Sequence, residues 1–201
     1  MKTRSLILSP HEVLSALRGE LGLIVRPVKG QPTTALMGHE GEIWHRVGEG
    51  KYQSGLPVVC PLGVPGDRLV GKETWHTDES DLGRARAEHE DAMSASPIFY
   101  RADFANKYAG CRWRFPATMP AWASRITLEV ESVRCCRLLQ LCEDDARKMG
   151  VPWKTYPDLP TPRNASKAIR TSFESTWNRH YGRRYPWESN PWVWAAKVKR
   201  A

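Results

Sequence analysis

No stretch of this chain approaches the roughly 20 consecutive apolar residues that a membrane-spanning helix requires. The apolar run behind Met1-Lys-Thr-Arg-Ser5 is too short for a secretory signal. A soluble, cytoplasmic protein with no membrane partner is therefore expected. Cysteine is sparse, with five in 201 residues and no Cys-x-x-Cys spacing. Neither a disulfide framework nor a zinc site is expected from such a set. Cys135 and Cys136 are adjacent and in a strand would point to opposite faces. The six histidines show no metal-ligand spacing, and no glycine-rich phosphate loop joins a strand to a helix. Nucleotide-binding α/β folds are disfavoured, and no cofactor is expected.

Positive charge and tryptophan are what the chain does have. Thirty Lys and Arg against 22 Asp and Glu give a formal charge of +8, which favours polyanionic partners. The basic residues gather between positions 163 and 184 and at Lys197, Lys199 and Arg200. Nine Trp within 41% apolar residues supply a core. Aromatic faces beside cations are also what unpaired bases stack on, although burial is the commoner use of a Trp.

Periodicity gives a coarse map. Val13, Leu14 and Leu17 predict a short helix over residues 11–18 behind Ser9-Pro10. Residues 21–28 and 68–75 read as strands, with a Pro65-Gly66 turn before the second. Residues 97–102 read as another short strand. Between positions 124 and 136, Ile126, Leu128 and Val130 alternate with Arg125, Thr127, Glu129 and Glu131, and the phase slips at Ser132, which suggests a bulge. Residues 138–149 read as a helix stopped by a left-handed Gly150. Asn164 is placed to cap a second helix striped by Ile169, Phe173, Trp177 and Tyr181, with Gly182 ending it. Residues 192–199 close the chain as a strand with Trp192, Trp194, Ala196 and Val198 on one face. Segments 30–57 and 77–96 read as insertions: the first a long loop or hairpin anchored by Ile43-Trp44, the second a highly charged helix or loop. These elements fit a small α+β barrel.

Several strings carry a resemblance: Cys60-Pro-Leu-Gly-Val-Pro-Gly-Asp-Arg-Leu69, Glu73-Thr-Trp75, Tyr100-Arg-Ala-Asp103, Trp113-Arg-Phe-Pro116, Met119-Pro120, Trp122-Ala-Ser-Arg-Ile126 and Trp187-Glu-Ser-Asn-Pro-Trp-Val-Trp194. In that order they span nearly the whole chain and resemble the ASCH-domain proteins of bacteria and their phages, which belong to the PUA-like superfamily. The resemblance implies a single domain over 1–201, a mixed β-barrel with flanking helices that handles RNA, single-stranded nucleic acid or a modified nucleoside. A phage-encoded copy would act in the host cytoplasm. Some relatives hydrolyse N4-acetylcytidine through a Lys and a Thr of the motif Gly-Arg-Lys-Thr-x-Thr-x-Arg and a later Glu, and others are ribonucleases. Here Gly19 and Arg26 match that motif, but Leu21 stands for the Lys, Gly22 and Ile24 for the Thr positions, and Met149 for the Glu. Leu and Met transfer no proton, and loss of a general base costs about 10²–10⁴-fold, so the hydrolase activity is expected to be absent.

The remaining polar and aromatic candidates for a ligand site are Arg26, Lys29, Lys72, Glu73, Trp75, Arg101, Trp113, Trp122, Arg125 and Trp192, with Asp103 among the same segments. An aromatic ring can stack on a base while Arg and Glu read its edge. The competing reading is structural: Glu73 paired with Arg26 or Arg125, and Trp residues filling the barrel. Glu73 and His76 are the weak catalytic candidates for a hydrolase or ribonuclease with a rearranged site. A third reading is a phage accessory protein that binds and inhibits a host protein complex through its basic face or the charged residues 78–91.

Overall fold

The computed structural model describes residues 1–31, 35–37, 42–45, 58–77, 98–104, 112–151 and 162–201. Five strands form one mixed sheet in the order β1-β6-β9-β10-β2. These are β1 (Thr3–Ile7), β6 (Arg68–Lys72), β9 (Thr127–Arg137), β10 (Trp192–Arg200) and β2 (Leu23–Pro27). Only β1 and β6 run parallel; the other pairs are antiparallel. Helix α1 (Pro10–Leu17) links the two edge strands, while α2 (Glu143–Lys148) and α3 (Pro162–Tyr181) fall between β9 and β10. Among the described residues the other strands form a three-stranded sheet of β3 (Ala35–Met37), β4 (Glu42–His45) and β5 (Val58–Val59) and a two-stranded ribbon of β7 (Trp75–His76) and β8 (Phe99–Tyr100).

Alternation along the strands sorts side chains into two cores. Ile24, Leu69, Leu128, Val130, Trp194, Ala196 and Val198 pack with Val13 and Ala16 of α1. On the opposite face, Leu23, Val25, Val193 and Ala195 pack against Ala146 of α2 and Ile169, Phe173 and Trp177 of α3. Strands β2 and β10 are thus covered on both faces, which explains their nearly unbroken apolar sequence. Cys135 joins the first core and Cys136 the second, as a strand dictates. The phase slip in β9 is a bulge: Lys197 pairs with Ser132 and Val198 with Val130, leaving Glu131 as the extra residue.

The mixed α+β character holds, and the architecture differs from the expected one in instructive places. Strand β1 was not anticipated; its five residues are too few to show a pattern, and its pairing with β6 is set by distant sequence. Strand β10, the expected last strand of the chain, lies inside the sheet, between β9 and β2. Among the described residues no ladder joins β1 to β2, so the backbone pairing is that of an open sheet. The expected strand 68–75 is two strands, because at Glu73 the backbone N–H turns to the Met119 sulfur at 3.4 Å and leaves the ladder. Residues 99–100 are a strand, but 101–103 turn into a 3-10 helix. The expected helix 138–149 is a 3-10 turn, Leu138–Gln140, followed by α2, which restarts where Asp145 accepts the Cys142 N–H at 3.1 Å. Helix α3 begins at Pro162, so Asn164 sits inside its first turn rather than capping it. Of the two expectations for residues 30–57, a loop or a hairpin, the described part follows the hairpin: β3 and β4 run antiparallel, with Ile43 and Trp44 paired with Met37 and Leu36. The rest of that segment, and the charged insertion beyond Thr77, lie outside the described residues.

The turn that stood out in the sequence has a structural reason. Gly66 adopts φ +86, and the buried Asp67 accepts the N–H groups of Lys2 (2.7 Å) and Val64 (3.3 Å) and an N–H of Arg4 (3.5 Å). These bonds, the Lys2 one first, hold the Asp67 carboxyl below its ordinary pKa and staple β1 beside β6. Gly150, at φ +68, would place a Cβ 2.4 Å from the Ser15 Cβ. Gly150→Ala is therefore expected to destabilise the protein by about 2–4 kcal/mol, combining a left-handed alanine with overpacking against α1. Chemical denaturation would measure it.

Candidate functional site

The edge strands β1 and β2 would lie roughly 19 Å apart if five strands lay flat. They are instead within reach of one arginine side chain. Arg26 of β2 donates from Nη2 to the Ile7 carbonyl of β1 at 2.9 Å and from Nη1 to its neighbour Val25 at 2.9 Å. The same fork grips Glu12 of α1, at 2.7 Å to Oε1 and 3.1 Å to Oε2. Glu12 is 4% exposed and also accepts the Ser9 N–H and hydroxyl, both at 2.8 Å, a capping arrangement that starts α1. The sheet is therefore strongly curled, and its open seam is closed by side chains.

Burial alone would raise the Glu12 pKa, but the Arg26 charge, the Arg26 hydrogen bond and the Ser9 bonds outweigh it and hold the carboxyl low. Burial works against the Arg26 charge too, yet Glu12 and the Tyr181 oxygen raise its pKa above the ordinary arginine value. The Tyr181 hydroxyl itself is pushed up by burial, against the pull of Arg26. Arg26 is thus committed to the seam and acts as a positioning residue for what lies beside it.

Beside the seam opens a groove of about 620 Å³, within the size range of small-ligand sites. Leu6, Leu62 and Trp194 give it buried apolar surface, and Tyr181 and Tyr185 present half-buried rings. Lys29 and Arg184 are exposed cations on its lining. Ile7 and Val59 add apolar surface that is 48% and 54% exposed. The end of α3 and the turn after it bring Tyr181, Arg184 and Tyr185 here, anchored by the Trp177 indole N–H on the Tyr185 carbonyl at 2.7 Å. Next to the seam, His11 and His180 lie edge to face with centroids 5.6 Å apart. Burial lowers the His11 pKa, helped by His180, Arg26 and Arg179 and opposed by Glu12.

A second polar cluster surrounds Arg125. Its Nε and Nη2 donate to Glu73 at 2.8 and 3.0 Å, and its Nη1 and Nη2 donate to Asp103 at 2.9 and 2.8 Å. The guanidinium also stacks on the Tyr100 ring at 4.0 Å, whose hydroxyl donates to the Ala123 carbonyl at 2.8 Å. Burial opposes the charge, but the bonds to Glu73 and Asp103 raise the Arg125 pKa above its ordinary value. Both Glu73 oxygens are engaged. A cavity of about 500 Å³ lies alongside, lined by Glu73 and by apolar Leu8, Val13 and Leu14, with Arg101 exposed on it.

The sequence candidates therefore do not converge on one site. Arg26 and Lys29 belong to the groove, Glu73, Arg101 and Arg125 to the second cluster, and His76 and Trp113 to a third place on the β7–β8 ribbon. Glu73 pairs with Arg125, and Arg26 pairs with Glu12 instead. Trp75 is 1% exposed, its indole N–H on the Thr118 hydroxyl at 3.3 Å. Trp122 packs against Trp75 and Met119 in a small third core. Trp192 lies under the Arg137 guanidinium at 4.4 Å. Lys72 is half-buried at the end of β6, opposite Ile7. Leu21 and Ile24 lie in one apolar core cluster and Met149 in the other. Gly22 packs under the Lys148 side chain, whose ammonium is paired with Asp144. Glu12 was missed, though Ser9-x-x-Glu12 is the spacing of a capping box. Tyr185 carried no sequence signal, because only the turn after α3 brings it to the groove.

No family model matches this chain, and no match is found among curated proteins or among solved structures.

Proposed function

We propose that this chain is a nucleic-acid or modified-nucleoside binding module on an ASCH/PUA-like scaffold of the phage or prophage type, without the amidohydrolase activity of some relatives. The observation that carries the reading is the groove in which Lys29 and Arg184 stand beside Tyr181, Tyr185 and apolar surface. Cations meet phosphates, and ring faces and apolar walls accept a base, so this combination suits a single strand or a nucleoside. The net charge of +8 favours the same partners. Strong curling of the five-stranded sheet, with Arg26 tying its edges, supports a barrel of the PUA-like kind. No helix among the described residues is long and apolar enough to cross a membrane.

A rearranged hydrolase centred on Glu73 is the weaker reading. Both Glu73 oxygens already accept from Arg125, at 2.8 and 3.0 Å, and the residue is 3% exposed, so a substrate would have to displace that pair to reach it. The binding reading is tested by fluorescence anisotropy with labelled single-stranded RNA and DNA of about ten nucleotides, between 50 and 200 mM salt. Affinity should fall with salt with a slope of about −0.7 per phosphate contact. The double variant Lys29→Glu/Arg184→Glu should reduce that slope by about 1–2 and weaken binding to all sequences alike. Binding that ignores both salt and these substitutions would refute the reading.

A further inference from the structure

The β7–β8 ribbon carries a second cavity, of about 430 Å³, that shares no lining residue with the groove. Among the described residues it is lined by His76, Thr77, Arg112, Trp113, Arg114, Phe115 and Thr118, none of them acidic. Three observations set it apart from ordinary surface. The first is a circuit of rings: His76 to Phe99 (6.2 Å), Phe99 to Phe104 (6.2 Å), Phe104 to Trp113 (6.5 Å) and Trp113 back to His76 (6.2 Å). The His76 ring is fixed, because its Nδ1 donates to the Arg112 carbonyl at 3.1 Å and a carbonyl can only accept. The second is Phe115, an aromatic side chain left 72% exposed at the same cavity. The third is Thr77, only 1% exposed, whose hydroxyl has no hydrogen-bond partner among the described residues. A buried unmatched hydroxyl costs free energy unless a ligand satisfies it.

We propose that this cavity is a separate binding site for a nucleotide. The planar base lies against the Trp113 and Phe115 rings, the Thr77 hydroxyl meets its polar edge, and the exposed Arg112 takes the phosphate. Arg114 is engaged on the Trp75 ring at 5.6 Å and backs the site rather than reading the ligand. A hydroxyl both donates and accepts, so it tolerates purine and pyrimidine edges alike. The nucleotide could be free or could be one unit of a strand, and the chemistry is shared.

Titration calorimetry with adenosine and cytidine 5′-monophosphates, ribose 5-phosphate and a ten-nucleotide single strand distinguishes the two sources. The monophosphates should bind about fivefold to a hundredfold more tightly than ribose 5-phosphate, which lacks a base to stack. Phe115→Ala should weaken binding without lowering the melting temperature, since the ring is exposed. Thr77→Val, nearly isosteric, should raise the melting temperature by removing the unmatched hydroxyl and weaken binding about three- to tenfold. Binding of the oligonucleotide alone, sensitive to Phe115→Ala and Thr77→Val, assigns the site to a strand. Unchanged affinity in both variants, or no binding of any probe, overturns the proposal. If Lys29→Glu/Arg184→Glu abolishes binding while Phe115→Ala and Thr77→Val leave it intact, the ribbon site fails and the groove stands. The reverse pattern removes the groove and keeps the ribbon.

Discussion

Arg26→Met is expected to lower stability by about 3–5 kcal/mol, the usual cost of stranding the partner of a buried ion pair. Glu12 is 4% exposed and would keep only its Ser9 bonds, while the Ile7 carbonyl would lose its donor across the seam. Denaturant midpoints should show the loss. The double variant Glu12→Gln/Arg26→Met should recover much of it, because a buried pair and an apolar replacement lie close in free energy. A double variant no better than the single would mean that the seam, rather than the stranded charge, carries the cost.

The same cluster contributes to the acid limit of the fold, alongside Asp67, whose carboxyl is also held low. Glu12 has a folded pKa below its unfolded one, so its contribution is complete above about pH 4.5 and is lost as pH falls through the folded value. The folded pKa of His11 is also lowered. The unfolded chain therefore binds the extra proton, and stability begins to fall below about pH 6.5. Both groups act in one direction, so unfolding free energy should decline on acidification in two stages. His11→Gln should remove the upper stage and leave the lower.

Arg125→Met should cost a comparable 3–5 kcal/mol, because Glu73 is only 3% exposed and both its oxygens rest on this one guanidinium. Asp103→Asn should cost no more than about 1 kcal/mol, since Asp103 is 41% exposed and its bonds compete with water. The comparison separates two roles for Arg125. A large loss in stability with unchanged nucleic-acid affinity marks it as the strut that holds Glu73 and the 3-10 turn at Arg101–Asp103. A small loss in stability with a large loss in affinity would make it a ligand contact.

Local chemistry was legible from the sequence. Ser9-Pro10 and the Val13-Leu14-Leu17 spacing gave α1, the alternation around Ile126–Val130 gave β9 with its bulge, and the fourfold stripe from Ile169 to Tyr181 gave α3. Each of these rests on interactions within a few residues of chain. Pro65-Gly66 announced a turn, but that Asp67 staples the turn to Lys2, 65 residues away, could not be read. Candidate residues were recognisable by type and misplaced by partner. Arg26 was a candidate partner of Glu73, yet the curl of the sheet gives it to Glu12. Trp75 was a stacking candidate, yet the third core buries it.

The amino-acid pattern by itself determined the mixed α+β class, the main helices and long strands, the basic character and the apolar side chains at Leu21, Ile24 and Met149. Those follow from side-chain periodicity, charge and chemistry, which need no knowledge of long-range contacts. Tertiary structure alone decided the strand order, the inner place of β10, the arginine-closed seam and the dispersal of the candidates over three sites. These depend on which distant strands pair and how far the sheet curls, and a one-residue or one-strand change in pairing would re-aim every side chain involved.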